Sequence, residues 1–376
     1  MGEPPHRLPA PDTLPYLLLA LTAISGEYPA SQVSRLPGGP AYKENVVKNL
    51  KREKLLRTFY KDGLRGLRLT ATAKKQLLAD RPDWFANYLT GQTETNMLKS
   101  EVPRRLRLHR MAEVLVTMLN SGVPFFPWEK PPLFRSPLLE TNYIECPVYY
   151  SSREVKEIGP QATKINGSRS TGILLTDGGI FIAYNTGDTL MKWEYKAELR
   201  FKAFLQTEVC QRLLPDQFAD ARISGIVFGD GLEALPPLVA PTVGARRNYF
   251  ILDGNFEHFY FLPSDHRGEV MLQLLCDPGL MAALDDVLSE NLNANRPGWP
   301  VENDAIDEDG NPVLFAYTCD MPRIQRFDTA LELQGRTGTL ICFDFQEETL
   351  RRICGRRVTL QSIDFGKFEG SVLYRP

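Results

Sequence analysis

The chain has 376 residues, 43% hydrophobic and 24% charged, which is ordinary globular composition with length for two or three cores and excludes a disordered or fibrous protein. Its formal net charge of −2 conceals a division: residues 42–110 hold 17 Lys/Arg against 7 Asp/Glu, which leaves the rest of the chain acidic by 12. That polarity points to a polyanionic partner for the basic part.

Residues 1–11 read as a flexible, Pro-rich leader without the apolar core of a signal peptide. "LPYLLLALTAI" reads as a buried first helix, and its nine-residue apolar stretch is far short of the ~20 that a membrane span needs. A short helix over 29–36 and a "PGGP" turn follow. From Ala41, Val46, Val47, Leu50 and Leu55/Leu56 recur at helical spacing, and Lys43, Lys48, Lys51 and Arg52 are read as lying largely off that stripe. "LLRTFYK" and "GLRLT" are two short strands joined at Asp62-Gly63, a strong hairpin dipeptide, and "TATAKKQLLAD" is a further helix. Helix, helix, turn, helix and two-stranded wing is the order of a winged helix-turn-helix over 12–90. Within 91–140 a polar linker leads to a long helix with a basic start, "RRLRLHRMAEVLVTMLNSGV". The Pro-rich "PFFPWEKPPLFRSPLLE" after it has aromatics expected to pack across a domain seam.

From about residue 144 strands dominate, including the hairpin "STGILLTDGGIFIAYN" and a strand-to-helix segment beginning "KWEYK". Further strands are expected at "RISGIVFG", "RRNYFILDG" and "HFYFLP", followed by helices over 266–288. An acidic, Gly/Pro-punctuated loop spans 293–313, and the tail alternates strand and helix again. These make a mixed α/β domain over 141–292 and a C-terminal α/β lobe over 293–376, with no internal repeat.

The six cysteines are scattered without a CxxC pair and read as single buried thiols of a cytoplasmic protein. His258 and His266, with Asp253, Glu257 and Asp265 nearby, are a conceivable divalent-metal or acid/base group, although carboxylates in such loops are usually solvated. His109, among arginines, reads as a phosphate contact or a bystander. No phosphate loop, dinucleotide fingerprint, HExxH or GxSxG is present. A restriction-endonuclease-type site needs an Asp on one strand and an acidic-x-Lys pair on the next, because two carboxylates must hold Mg²⁺ beside the scissile phosphate. Here those strand positions hold Gly172, Ala183, Tyr184 and Asn185, Asp177 falls in the turn, and only Glu194-x-Lys196 matches the pair.

The order of these features resembles the replication-relaxation family of plasmid and conjugative-element proteins. The resemblance spans about residues 12–206 and is carried by "LTATAKKQLL" (with Ala73 where that family has Gly), "LHRMAEVL", Trp128-Glu129, and the hairpin and helix that follow. In that family the hairpin carries a Pro-Asp pair and an acidic strand end; Thr171-Gly172 and Tyr184-Asn185 stand here instead. The resemblance thus implies a degenerate nuclease-like core kept for binding or dimerisation.

The expected fold is α+β: an N-terminal winged helix-turn-helix, then a mixed α/β region with a degenerate restriction-endonuclease-like core. The expected function is DNA binding in replication or transfer control, or in transcriptional regulation. Tyr42, Lys43, Asn45 and Lys48 are assigned to the groove, with Lys51 and Arg52 beside them. Arg57, Lys61, Arg65, Arg68, Arg104, Arg105, Arg107 and Arg110 are assigned to the phosphate backbone. No catalytic residue, metal or cofactor is expected. The partners implied are duplex DNA, a relaxase or replication initiator, and a second copy of the chain, with no membrane. The alternatives are a divergent metal-dependent nuclease using residues 171–196 and a winged-helix protein–protein adaptor.

Overall fold

A computed structural model of the chain describes residues 8–134, 143–155, 167–188, 194–239, 256–295 and 301–370. They form an α+β protein with two compact units: residues 1–120 with 126–130, and residues 121–125 with 131–376. The basic long helix thus belongs to the first unit, and the two regions expected over 141–292 and 293–376 share the second.

In the first unit α1 (Leu14–Ser25) has Pro15 in its first turn and is buried from Leu18 to Ser25, as an evenly apolar helix must be. The chain then runs through β1 (Tyr28–Pro29), a short 3-10 helix (Ala30–Arg35) and α2 (Pro40–Arg52). Val46 and Leu50 are the buried ridge of α2. β2 (Leu56–Lys61) and β3 (Leu64–Leu69) form the expected hairpin. Asp62 and Gly63 both take positive φ, 51° and 79°, the pattern of a two-residue turn matched to strand twist. The strand order is β1-β3-β2. Helices α3 (Ala71–Asp80), α4 (Pro82–Leu89) and α5 (Val102–Asn120) complete the unit. Thr70 caps α3 by accepting from the Ala73 amide. Of the aromatics in the Pro-rich segment, Phe126 stacks on Trp128 at 4.4 Å, and Trp128 lies 4.3 Å from Trp84, all within this unit. Phe134 belongs to the second unit, edge-on to Tyr150.

Among the described residues the second unit contains two five-stranded sheets. One has the order β4-β5-β6-β7-β8 (Val148–Ser151, Gly172–Thr176, Gly179–Gly187, Ile223–Gly229, Phe259–Pro263). Its first three strands are antiparallel, and β7 and β8 add in parallel. A short helix α6 (Ser152–Val155) follows β4, and α7 (Tyr195–Leu205), with its wider-turned continuation to Leu213 and α8 (Pro215–Phe218), connects β6 to β7. Beyond β7 come α9 (Pro236–Val239) and, after β8, α10 (His266–Cys276) and α11 (Pro278–Ser289). The other sheet has the order β13-β12-β11-β10-β9. Here β9 (Asn293–Ala294), β10 (Ala305–Ile306) and β11 (Pro312–Phe315) are antiparallel, while β12 (Gly338–Phe343) and β13 (Val358–Ile363) run parallel to β11. Helices α12 (Met321–Gln334), α13 (Asp344–Ile353) and α14 (Phe365–Phe368) follow the parallel strands. The strand expected over 246–254 lies outside the described residues, as do most of the leader and residues 371–376.

Candidate nucleic-acid interface

The expected contact residues separate into an outward set and an inward set. On α2, Tyr42 (51% exposed), Asn45, Lys48 and Arg52 face solvent, and Lys51 is half-buried. On the hairpin Arg57, Lys61 and Arg65 are exposed, as is Arg104 at the start of α5. Lys51 and Arg65 are close enough to influence each other: burial, then the Arg65 charge, pull the Lys51 ammonium below its ordinary value. The end of α2 and the hairpin therefore bring cations together. Among the described residues, Lys48, Arg52, Arg57, Lys61 and Arg65 take part in no ion pair. Arg107 is exposed but paired with Glu94, and Arg110 is half-buried.

Three of the expected contacts turn inward. Lys43 is buried, and its Nζ donates to the carbonyls of Ser34 (2.6 Å) and Leu36 (2.9 Å), closing the end of the short 3-10 helix onto α2. It sits three residues before Val46 and seven before Leu50, so helical geometry puts it on the apolar stripe rather than off it. Arg68 and Arg105 are also buried and cannot reach a phosphate; they bind Glu27, just beyond the end of α1. Arg68 Nε donates to Glu27 Oε2 at 2.7 Å, and Arg105 grips Glu27 side-on through Nε (3.0 Å) and Nη2 (2.6 Å). His109, one helical turn beyond Arg105, places Nε2 2.8 Å from Glu27 Oε1, which makes it a core residue and not a phosphate contact.

Burial alone would push the Glu27 carboxyl up, but hydrogen bonds from His109, Arg105 and Arg68 outweigh it and lower the value to about 2. Gly66 makes room for the carboxylate: a Cβ there would stand 2.2 Å from Glu27 Oε1. Phe59 lies under both guanidiniums, 3.7 Å from Arg68 and 4.7 Å from Arg105. Sequence reading missed Glu27, whose partners lie 41 to 82 positions away. It also missed Tyr60, 68% exposed on β2 opposite Arg65, where strand alternation with buried Leu56 offered no hint.

The nuclease alternative fares differently from its expected geometry. Glu194 and Lys196 lie at the N-cap and in the first turn of α7, exposed, and not on a strand. The buried carboxylate nearby is Glu198, which accepts from Ser168 Oγ (2.8 Å), the Arg169 amide (2.7 Å) and the Tyr184 hydroxyl (2.9 Å). It is fully engaged in joining α7 to β6. His258 and His266 do not converge: His258 Nδ1 meets Asp320 Oδ2 at 2.6 Å, whereas His266 Nε2 meets Glu369 at 2.6 Å. Asp265 caps α10 instead of facing either. Asp253 lies outside the described residues. Among the described residues no three His, Cys, Asp or Glu side chains are grouped to hold a metal ion. The cysteines are all unpaired, four buried and two half-buried, and burial raises every thiol, for example Cys210 to about 11 and Cys354 to about 12. No described helix is long and apolar enough to cross a membrane.

No protein-family model, curated protein or solved structure matches this chain.

Proposed function

We propose that the first unit is a winged helix-turn-helix that binds duplex DNA, with α2 as the groove-reading helix and the β2–β3 hairpin as the wing. The observation that carries this reading is the uncompensated charge of Lys48, Arg52, Arg57, Lys61 and Arg65, exposed on two adjoining elements without ion pairs among the described residues. Exposed like charges without ion-pair partners repel one another, and a row of phosphates would relieve that repulsion. Tyr42 and Asn45 add the hydrogen-bonding and stacking capacity that base edges and sugars take up. The strand order β1-β3-β2, with helices between β1 and β2, supports the same assignment.

The likeness to the replication-relaxation family suggests the setting: cytoplasmic replication or transfer control, or transcriptional regulation, in a plasmid or conjugative element. The second unit would then serve dimerisation or the docking of a relaxase or replication initiator. Its antiparallel β4-β5-β6, then α7, then β7 parallel to β6 could carry a nuclease-like core whose catalytic positions have been replaced. Mobility-shift titration of duplex DNA tests the reading. Reversing one charge on each element in Lys48→Glu plus Arg65→Glu should weaken binding about 100-fold or more at physiological salt. Unchanged affinity in that variant, or no binding by the wild type, would overturn it, the latter favouring a protein–protein adaptor. Cleavage of supercoiled plasmid with Mg²⁺ or Mn²⁺, abolished by Glu194→Ala, would favour the nuclease.

A further inference from the structure

Arg105 does more than neutralise Glu27. Its Nη1 donates to the Lys61 carbonyl at 2.9 Å, and its Nη2 to the Leu64 carbonyl at 3.0 Å and, more distantly, to Phe59 at 3.4 Å. Lys61 and Leu64 are the ladder pair flanking the Asp62-Gly63 turn, so one guanidinium bridges both strands where the hairpin reverses. The other edge of that guanidinium is fixed by Glu27, which Arg68 of β3 also grips. A two-stranded hairpin is marginal by itself in water, and its tip is the part that frays first. Here the tip is held from a helix whose first residue, Val102, lies beyond the whole hairpin and the linker.

The sheet faces divide the labour. Phe59 and Lys61 alternate onto the side of β2 that carries Arg105, and Gly66 and Arg68 onto the same side of β3. Tyr60 and Arg65 face each other across the ladder on the opposite side. Leu67 and Leu69 farther along that side are buried, but at the tip Tyr60 and Arg65 on it and Lys61 on the clamped side are all exposed. Arg105 is fully buried (0% exposed), so its effect on any ligand passes through the wing. The fork shape matters as well, because a lysine ammonium in its place could not hold Glu27 side-on and span both carbonyls.

We propose that Arg105 is a positioning residue for the wing: by bridging the Lys61 and Leu64 carbonyls to Glu27, it sets Lys61 and Arg65 in the geometry that meets the DNA backbone. The functional part rests on the DNA-binding reading above.

Two measurements on the 376-residue chain test it. In the first, binding to a short random-sequence duplex is followed across a salt series for the wild type, Arg105→Gln, Arg105→Lys, Lys61→Ala plus Arg65→Ala, and the triple variant Lys61→Ala, Arg65→Ala, Arg105→Gln. Losing two phosphate contacts should make the slope of log affinity against log salt shallower by about 2. Arg105→Gln and Arg105→Lys should show that loss with all basic wing side chains present, and the triple variant should lose no more than the double. A wild-type slope in a folded Arg105→Gln, or full additivity in the triple variant, would overturn the positioning role. In the second, amide hydrogen exchange is read in the wild type alone, so that it does not depend on any variant folding. The Lys61 and Leu64 amides should exchange within about tenfold of Val114 and Leu115 in α5, as one cooperative unit would. A tip exchanging orders of magnitude faster would overturn the clamp whichever variants fold. If the wild type fails to bind DNA, the proposed function falls, while the exchange result still decides the clamp.

Discussion

The two units treat positive charge in opposite ways. In the second unit several arginines carry a carboxylate: Arg212 with Glu208, Arg323 and Arg326 with Glu302, Arg351 with Glu347 and Arg352 with Glu348 and Glu233 on helices, and Arg357 with Glu332 in the turn before β13. In the first unit the carboxylate that matters is Glu27, inside the fold, where it takes two guanidiniums and an imidazole. Lys48, Arg52, Arg57, Lys61 and Arg65 on the outside of α2 and the β2–β3 hairpin have no such partners among the described residues. Net charge alone is therefore a poor guide to a binding surface. Part of the basic excess over 42–110 is structural and buried, and the informative quantity is what stays uncompensated after those residues are removed.

Substitutions that strip the buried hub should show the largest effects. Glu27→Ala leaves two guanidiniums without their counter-ion and should cost the first unit about 3–5 kcal/mol, visible as an early unfolding transition by calorimetry. Gly66→Ala, which drives a methyl into Glu27, should approach that loss, and a melting curve like wild type would show that the carboxylate has somewhere else to go. A smaller effect should appear with acid. The Glu27 carboxyl is lowered from an ordinary 4.5 to about 2 in the folded protein, so its contribution is complete above the unfolded value and lost as pH falls from about 4.5 through 2. That difference corresponds to roughly 3 kcal/mol. Unfolding free energy measured across this range should decline in the wild type and decline much less in Glu27→Gln. At the bottom of the scale, Arg351→Glu plus Arg352→Glu in the second unit breaks only exposed pairs and should shift stability by about 1 kcal/mol or less. It should also leave DNA affinity near wild type, and a large drop in affinity would erase the contrast between the units.

What could be read from the sequence was local. The Asp62-Gly63 turn, the flanking strands and the apolar first helix follow from residues adjacent in the chain, and all appear where expected. The inward arginines were misread because their partner is remote, although the helix period held a clue. Arg105 lies three residues before Leu108 and seven before Ala112, both buried, whereas Arg104 and Arg107 fall on the other face. The same test applied to Lys43 would have placed it inside. For Arg68 alternation misleads, since Leu67 and Leu69 point to one core and Arg68 to the side occupied by Glu27 and Phe59. In the second unit, the lack of carboxylates at Gly172, Ala183, Tyr184 and Asn185 was legible, but the engagement of Glu198 with Tyr184 was not, because it joins a helix to a strand 14 positions away.

In the proposed function the outward cations of α2 and the β2–β3 hairpin meet a phosphate backbone. The affinity of the 376-residue chain for duplex DNA, measured as salt rises from about 50 to 200 mM, decides whether they do. Five such cations engaged at once predict a straight line of log affinity against log salt with a slope of about −4 to −5. A slope near zero, or no measurable binding at the low-salt end, would contradict it.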